Sequence, residues 1–203
     1  DFPIEGDAVD FDRQCRLVGV LEDEYRKAIA PALQHSGQGM APADFFIWAG
    51  ELARVRPQIQ GLEHWEQIEH QMIAPHVNQV MQALSRHLTG TAAEQWEAWR
   101  DRYVPQLLAL LGGLRREATE RSRAKTASVS AILDPLFPET KRKESLSRKA
   151  LWVLASTPGV TCVLNGMRSP AYAADSLAVM GWEPLKGTKQ IFEAIAGRES
   201  SLS

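Results

Sequence analysis

The chain has 203 residues and a net charge of -2, with 44% hydrophobic and 24% charged residues. That composition supports a packed core in one or two domains. The balance of Lys and Arg against Asp and Glu exerts no general pull toward nucleic acid or an anionic membrane. No apolar run approaches the ~20 residues of a membrane span and no basic-then-apolar leader is present. A cytoplasmic protein is therefore expected, with Cys15 and Cys162 as separate reduced thiols.

The chain opens on Asp1-Phe2-Pro3-Ile4-Glu5-Gly6, which reads as the middle of a loop in a longer protein. Phe11, Leu17, Val18, Leu21, Tyr25, Ile29 and Leu33 recur at helical spacing and predict a long first helix stopping near Gly37-Gln38-Gly39. Pro42 sits in a second helix start, and Arg56-Pro57 ends that helix because the residue before proline avoids the α region. A third helix is predicted from Leu62 to Leu88, with a kink or break at Pro75. Thr89-Gly90 closes it. Thr91 and Glu94 form a capping box for a fourth helix, which Pro105 kinks and Gly112-Gly113 interrupts. A fifth helix covers Leu114 to Leu133 and ends at Asp134-Pro135. Short connections between these helices imply an antiparallel array over residues 1–137.

The charged stretch from Glu139 to Glu144 marks the domain boundary, and the pattern changes across residues 138–203. A helix from Leu146 to Leu154 ends near Ser156-Thr157-Pro158-Gly159. Val160-Thr161-Cys162-Val163-Leu164 is a β-branched apolar run, expected as a buried strand. Asn165-Gly166-Met167-Arg168 turns the chain. Ser169 is an N-cap, Pro170 takes the first helical position, and helices follow to Met180 and from Lys186 to Ala196. A buried strand needs partners on both edges, and the chain offers no second one. The neighbours must come from the rest of the same parent chain or from another subunit. The expected class is mainly α: a helical array followed by a terminal helix-strand-helix piece of a (β/α)8 TIM-type barrel.

Other chemistry-bearing residues have plain explanations. Glu63, His64, Glu66, Glu69 and His70 fall at helical spacing but read as a solvated acidic face rather than a metal site. Trp48, Trp65, Trp96 and Trp99 read as core or groove lining. Arg115, Arg116, Arg121, Arg123, Lys125, Lys141, Arg142 and Lys143 are interrupted by Glu117, Glu120, Glu139 and Glu144, a solvated helix face rather than a nucleic-acid surface. No phosphate loop, zinc pattern or serine nucleophile elbow is present.

The segment Lys149-Ala150-Leu151-Trp152-Val153-Leu154 through Pro158-Gly159-Val160 to Ser169, with Trp182-Glu183-Pro184-Leu185 after it, resembles the end of an aldo/keto reductase. The resemblance covers roughly forty residues, from Leu146 to Leu185. It implies a (β/α) barrel that binds NADPH, or less often NADH, and reduces an aldehyde or ketone. Gly166, Met167, Arg168 and Ser169 would form the turn after the eighth strand. Arg168 would face the ribose 2′-phosphate, supported by Ser169. The same turn suits an anion on physical grounds, since a helix start offers free N–H groups and Arg a planar donor fork. The family often has Gln or Arg where Tyr172 stands, and a Glu-Asn pair at Asp175-Ser176. Asp175 keeps the carboxylate, and Tyr172 offers a face for stacking. The family's catalytic Tyr, Lys, Asp and His have no counterpart here, so the cofactor is expected only in a complete barrel and this chain alone is not expected to transfer hydride. Residues 1–137 would be a large insertion. The alternatives are a non-enzymatic helical interaction module, or a subunit that completes a truncated barrel.

Overall fold

The computed structural model describes residues 10–33, 40–166 and 170–199. Every regular element among them is helical, so the protein is mainly α. The chain divides into two compact units, Asp1–Ser122 and Arg123–Ser203, the division falling upstream of the charged Glu139–Glu144 stretch.

In the first unit, α1 (Phe11–Ala28) starts where the Asp10 side chain accepts the Asp12 N–H. The spacing predicts helix as far as Leu33, but α1 ends at Ala28. Pro31 has no N–H and its ring would press on the Lys27 carbonyl, so Ala30–Ala32 form a single 3-10 turn instead. The apolar stripe also shifts. Leu17 is exposed, while Gln14 and Glu22 are buried on the face shared by Phe11, Val18, Leu21 and Tyr25. Gln14 Nε2 donates to the carbonyl and the side-chain oxygen of Gln106, both at 2.8 Å.

The second helix start opens as a 3-10 turn, Pro42–Asp44, before α2 (Trp48–Val55) and a further turn at Arg56–Gln58. The predicted third helix becomes α3 (Leu62–Ile68), a π turn (Glu69–Ile73) and α4 (Ala74–His87). Pro75 cannot donate to the carbonyl four residues back, and the wider π turn absorbs the lost bond without breaking the rod. Gly90, at φ +60°, takes the left-handed conformation that separates α4 from α5 and carries no steric cost for glycine. The Glu94 N–H donates to the Gly90 carbonyl, and Thr91, the expected cap, is already helical, one position past Gly90.

Helix α5 runs from Thr91 to Leu133, 43 residues, with Pro105 inside it. The break expected at Gly112-Gly113 does not occur. Two glycines cost a helix about 1 kcal/mol each, whereas burying Leu110, Leu111 and Leu114 beside them is worth about 1.5–3 kcal/mol per side chain. The core of this unit is aromatic. Trp99 stacks on Tyr103 with ring centroids 4.4 Å apart, and Phe46 meets Tyr25 edge-on at 4.6 Å. The Trp99 indole donates to the Leu21 carbonyl at 2.7 Å and the Tyr25 hydroxyl to the Pro42 carbonyl at 3.0 Å, so these two polar handles are satisfied, whereas the buried Trp65 Nε1 has no partner among the described residues.

In the second unit, α5 ends ahead of Asp134-Pro135, as the sequence implies, and the chain continues through 3-10 turns at Asp134–Leu136 and Glu139–Lys141. The Ser145 hydroxyl caps α6 (Leu146–Ala155); α7 (Pro170–Leu177) and α8 (Thr188–Glu199) follow. Phe137, Trp152, Val153, Val179, Leu185 and Ile191 are buried together. The Trp152 indole donates to the Glu183 carbonyl at 2.8 Å, and the Leu185 N–H to the Ser156 hydroxyl at 2.9 Å. Lys149, only 2% exposed, donates to Asp134 at 2.7 Å and to the Arg142 carbonyl at 2.5 Å.

The expected strand does not form. Val160–Leu164 lie outside any helix or strand, and Val160, Thr161, Cys162 and Leu164 are exposed rather than buried. A strand exists through its ladder, and the described residues supply no partner for one.

Candidate functional site

The site expected from the sequence is the connection between α6 and α7. Pro158-Gly159 follows the end of α6 at Ala155, with Gly159 at φ +88° in the region glycine favours. The Val160 N–H donates back to the Thr157 carbonyl at 3.1 Å. Beyond it, no backbone hydrogen bond joins Thr161–Leu164 to another described residue. Leu164 is 95% exposed. The run borders two open hollows: one of about 370 Å³, shared with Trp152, Val179 and Trp182, and one of about 260 Å³, shared with Arg148 and Asp175.

Gly166 is exposed at the end of this run. Met167, Arg168 and Ser169 lie outside the described residues. Tyr172, in the first turn of α7, is 59% exposed. Asp175 is tied on both oxygens, accepting from Arg148 Nε and from the Ser147 hydroxyl, each at 2.7 Å. These charge-assisted bonds fix α7 against α6, so Asp175 positions the helix that follows the turn. Ser176 is buried. Its hydroxyl donates to the Tyr172 carbonyl and accepts from Asn165.

The first unit holds a polar pair that sequence reasoning missed. Glu22, 4% exposed, accepts from the Tyr103 hydroxyl at 2.9 Å and from the Ala49 N–H at 3.2 Å. Burial pushes its carboxyl above the ordinary value, and the bonds from Tyr103 and from the Ala49 and Trp48 amides only partly offset that. Burial also drives the Tyr103 hydroxyl strongly up, reinforced by the Glu22 charge. The available signal was the position of Glu22 one helical turn from Val18 on the apolar stripe. Its role is that of a cap. Helix α2 has Ile47 at its N-cap and no side-chain bond of its own there, and Glu22 satisfies its first amides from α1.

The remaining candidates are engaged locally. Glu66 and Glu69 pair with Arg115 at 3.1 and 2.9 Å, and His70 Nδ1 bonds the Glu66 carbonyl. Among the described residues no cluster of three or more His, Cys, Asp or Glu side chains could hold a metal ion. Arg121 donates to the Arg56 and Ile59 carbonyls, Arg142 to the Phe137 carbonyl, and Lys141 sits 3.9 Å above the Trp182 ring. Trp65, Trp96 and Trp99 are core, while Trp48 is half-buried and lines a cavity.

The class these observations define is a mainly helical protein of two units, one closed around an aromatic core and one carrying an unladdered apolar run between two helices. Among the described residues no helix is long and apolar enough to cross a membrane. No protein-family model, curated protein or solved structure matches the chain.

Proposed function

We propose that the segment from Leu146 to Leu185 is the closing helix-strand-helix of an aldo/keto reductase-like barrel, and that the chain is the C-terminal part of a cytoplasmic NAD(P)H-dependent oxidoreductase. One observation carries this reading: Thr161–Leu164, exposed except for the half-buried Val163, is without a backbone partner among the described residues, between two helices in the order a β/α barrel requires. Leu164 exposes apolar surface to water, and neighbouring strands added to both edges would cover the run and pair its backbone. The partner is the remainder of the barrel, in the same parent chain or in another subunit.

Bound in a complete barrel, the cofactor supplies the hydride that reduces an aldehyde or ketone. This chain's part is binding. By the resemblance, Gly166, Met167, Arg168 and Ser169 would form the cofactor turn, with Gly166 leaving room for close approach and Arg168 with Ser169 holding the 2′-phosphate of NADP(H). Tyr172 offers an exposed ring to the adenosine. Asp175 keeps α7 in register with α6 through Arg148. The chemistry fits: a helix start beside an Arg suits a phosphate. The catalytic group belongs to the rest of the barrel.

The test is cofactor titration of the protein isolated from its own cells. Arg168→Ala should weaken NADPH by about ten- to a hundredfold, the value of a charge-assisted contact, and NADH far less. Equal loss for both cofactors sinks the 2′-phosphate role, and no binding of either by the unaltered protein sinks the reading.

A second reading rests on the first unit. Its aromatic core, from Phe11 to Ala118, is closed by its own helices, as a helical interaction module would require. Purification of the native protein near 22.6 kDa, with no cofactor binding, favours that reading.

A further inference from the structure

Helix α1 buries one face on the aromatic core and leaves a second stripe uncovered. Along that stripe stand Asp10, Arg13, Leu17, Val20, Glu24 and Lys27, alternately three and four residues apart, which is the repeat of a helix–helix seam. All are exposed except the half-buried Glu24. Leu17 is 44% and Val20 58% exposed, and beside them an open hollow of about 370 Å³ lies between α1 and α5, edged by Pro105. Single exposed apolar residues are ordinary. What sets these two apart is the order of the charges that flank them.

The stripe runs acid, base, apolar, apolar, acid, base. Reversed, it runs base, acid, apolar, apolar, base, acid. A second copy of α1 laid antiparallel therefore meets it with the opposite charge at every charged position: Asp10 faces Lys27, Arg13 faces Glu24, and Leu17 faces Val20. A parallel copy would set Arg13 on Arg13 and Glu24 on Glu24. A slip of one heptad would set Leu17 on Lys27 and Val20 on Glu24. Charge thus selects a second copy, its orientation and its register. Within the chain, Glu24 accepts from Arg102 through Oε2 at 2.7 Å, which leaves Oε1 for a donor on the second copy. We propose that two copies of this chain pair through α1, antiparallel about a twofold axis between Leu17 and Val20, each copy covering the other's hollow. A helix of 18 residues is about 27 Å long. Its seam buries less than the ~800 Å² per partner of a standard interface, so the dimer is a weak one. The seam stands on the first unit alone and does not depend on the barrel reading.

The experiment is sedimentation equilibrium of the full chain. The wild type should dimerise with a dissociation constant of about 1–100 μM and more weakly as salt is raised. Val20→Asp puts a charge at the axis and should leave a monomer over that range. Arg13→Glu meets Glu24 at both ends of the seam, and Glu24→Arg meets Arg13 at both ends. Each alone should raise the dissociation constant about tenfold or more. Mixed one to one, these two variants again oppose unlike charges at both ends and should recover the dimer. Far-UV circular dichroism confirms that each variant keeps its helices. A wild type that stays monomeric up to about 1 mM, the stripe then serving some other protein, overturns the proposal. A dimer that Val20→Asp and the single charge reversals leave intact, as pairing through Val160–Leu164 would be, also overturns it. A mixture of the two charge variants that recovers no association overturns the antiparallel register and the proposal with it.

Discussion

The Tyr103 hydroxyl donates to the Glu22 carboxylate at 2.9 Å in the interior of the helical unit, and the same carboxylate caps α2 through the Ala49 amide. A long helix thus supplies the terminal bonds that a short neighbour cannot make for itself. Ser122 of α5 repeats the device at α3: its hydroxyl accepts the Leu62 N–H at 2.8 Å, where the N-cap residue is Gly61 and has no side chain to offer.

The raised carboxyl of Glu22 makes stability depend on pH. Its folded value lies above its unfolded one, so its contribution is fully present below the unfolded carboxylate value and is lost as pH rises through the folded value. Urea unfolding should show this increment falling as pH rises above the ordinary carboxylate range. Glu22→Gln should flatten that part of the profile. Glu22→Ala, which leaves the Tyr103 hydroxyl and the Ala49 amide without their acceptor, should cost about 1–3 kcal/mol. An unchanged slope in Glu22→Gln would assign the pH dependence elsewhere.

Gly61 and Ser122 should couple. A Cβ at Gly61 would lie 2.5 Å from the Ser122 oxygen, so Gly61→Ala must turn that hydroxyl away from Leu62. Ser122→Ala should cost about 0.5–2 kcal/mol, the worth of a cap. Gly61→Ala loses the same bond but restricts the unfolded chain, which returns about 0.4–1 kcal/mol. The double variant should be no less stable than Ser122→Ala alone. Simple addition of the two losses in denaturant melts would contradict the shared bond.

Lys149 and Asp134 should respond unequally. The ammonium is buried, whereas the Asp134 side chain is about a third exposed. Asp134→Asn leaves a buried charge short of its partner, while Lys149→Met leaves a carboxylate that water can reach. Thermal melts should show the larger loss for Asp134→Asn, although the lysine is the more buried residue.

Helix α5 should gain from its glycines. A Cβ at Gly112 or Gly113 meets nothing within 4 Å. Replacing each by Ala should raise stability by about 0.8–1 kcal/mol, read as a higher urea midpoint with the slope unchanged. A loss would mean that these positions need glycine after all, as a break there would.

The apolar periodicity of residues 11–133 and their punctuation by Pro42, Pro57 and Gly90 marked that the region is helical and where α1, α2, α3 and α5 begin to within a few residues, because period and φ restriction are local properties, whereas the stop at Pro31 went unread. The same sequence marked Val160–Leu164 as strand-like, and there it could say no more than that partners are required. Only the tertiary structure decided the rest. It carried α5 through Gly112-Gly113, since leucine burial outweighs two glycines. It turned Pro75 into a π turn rather than a break. It buried Glu22 in place of Leu17, and it left the Val160–Leu164 run open. Each of these depends on which groups meet across long sequence separations: caps lent between helices, and a ladder that exists only when a second strand is present.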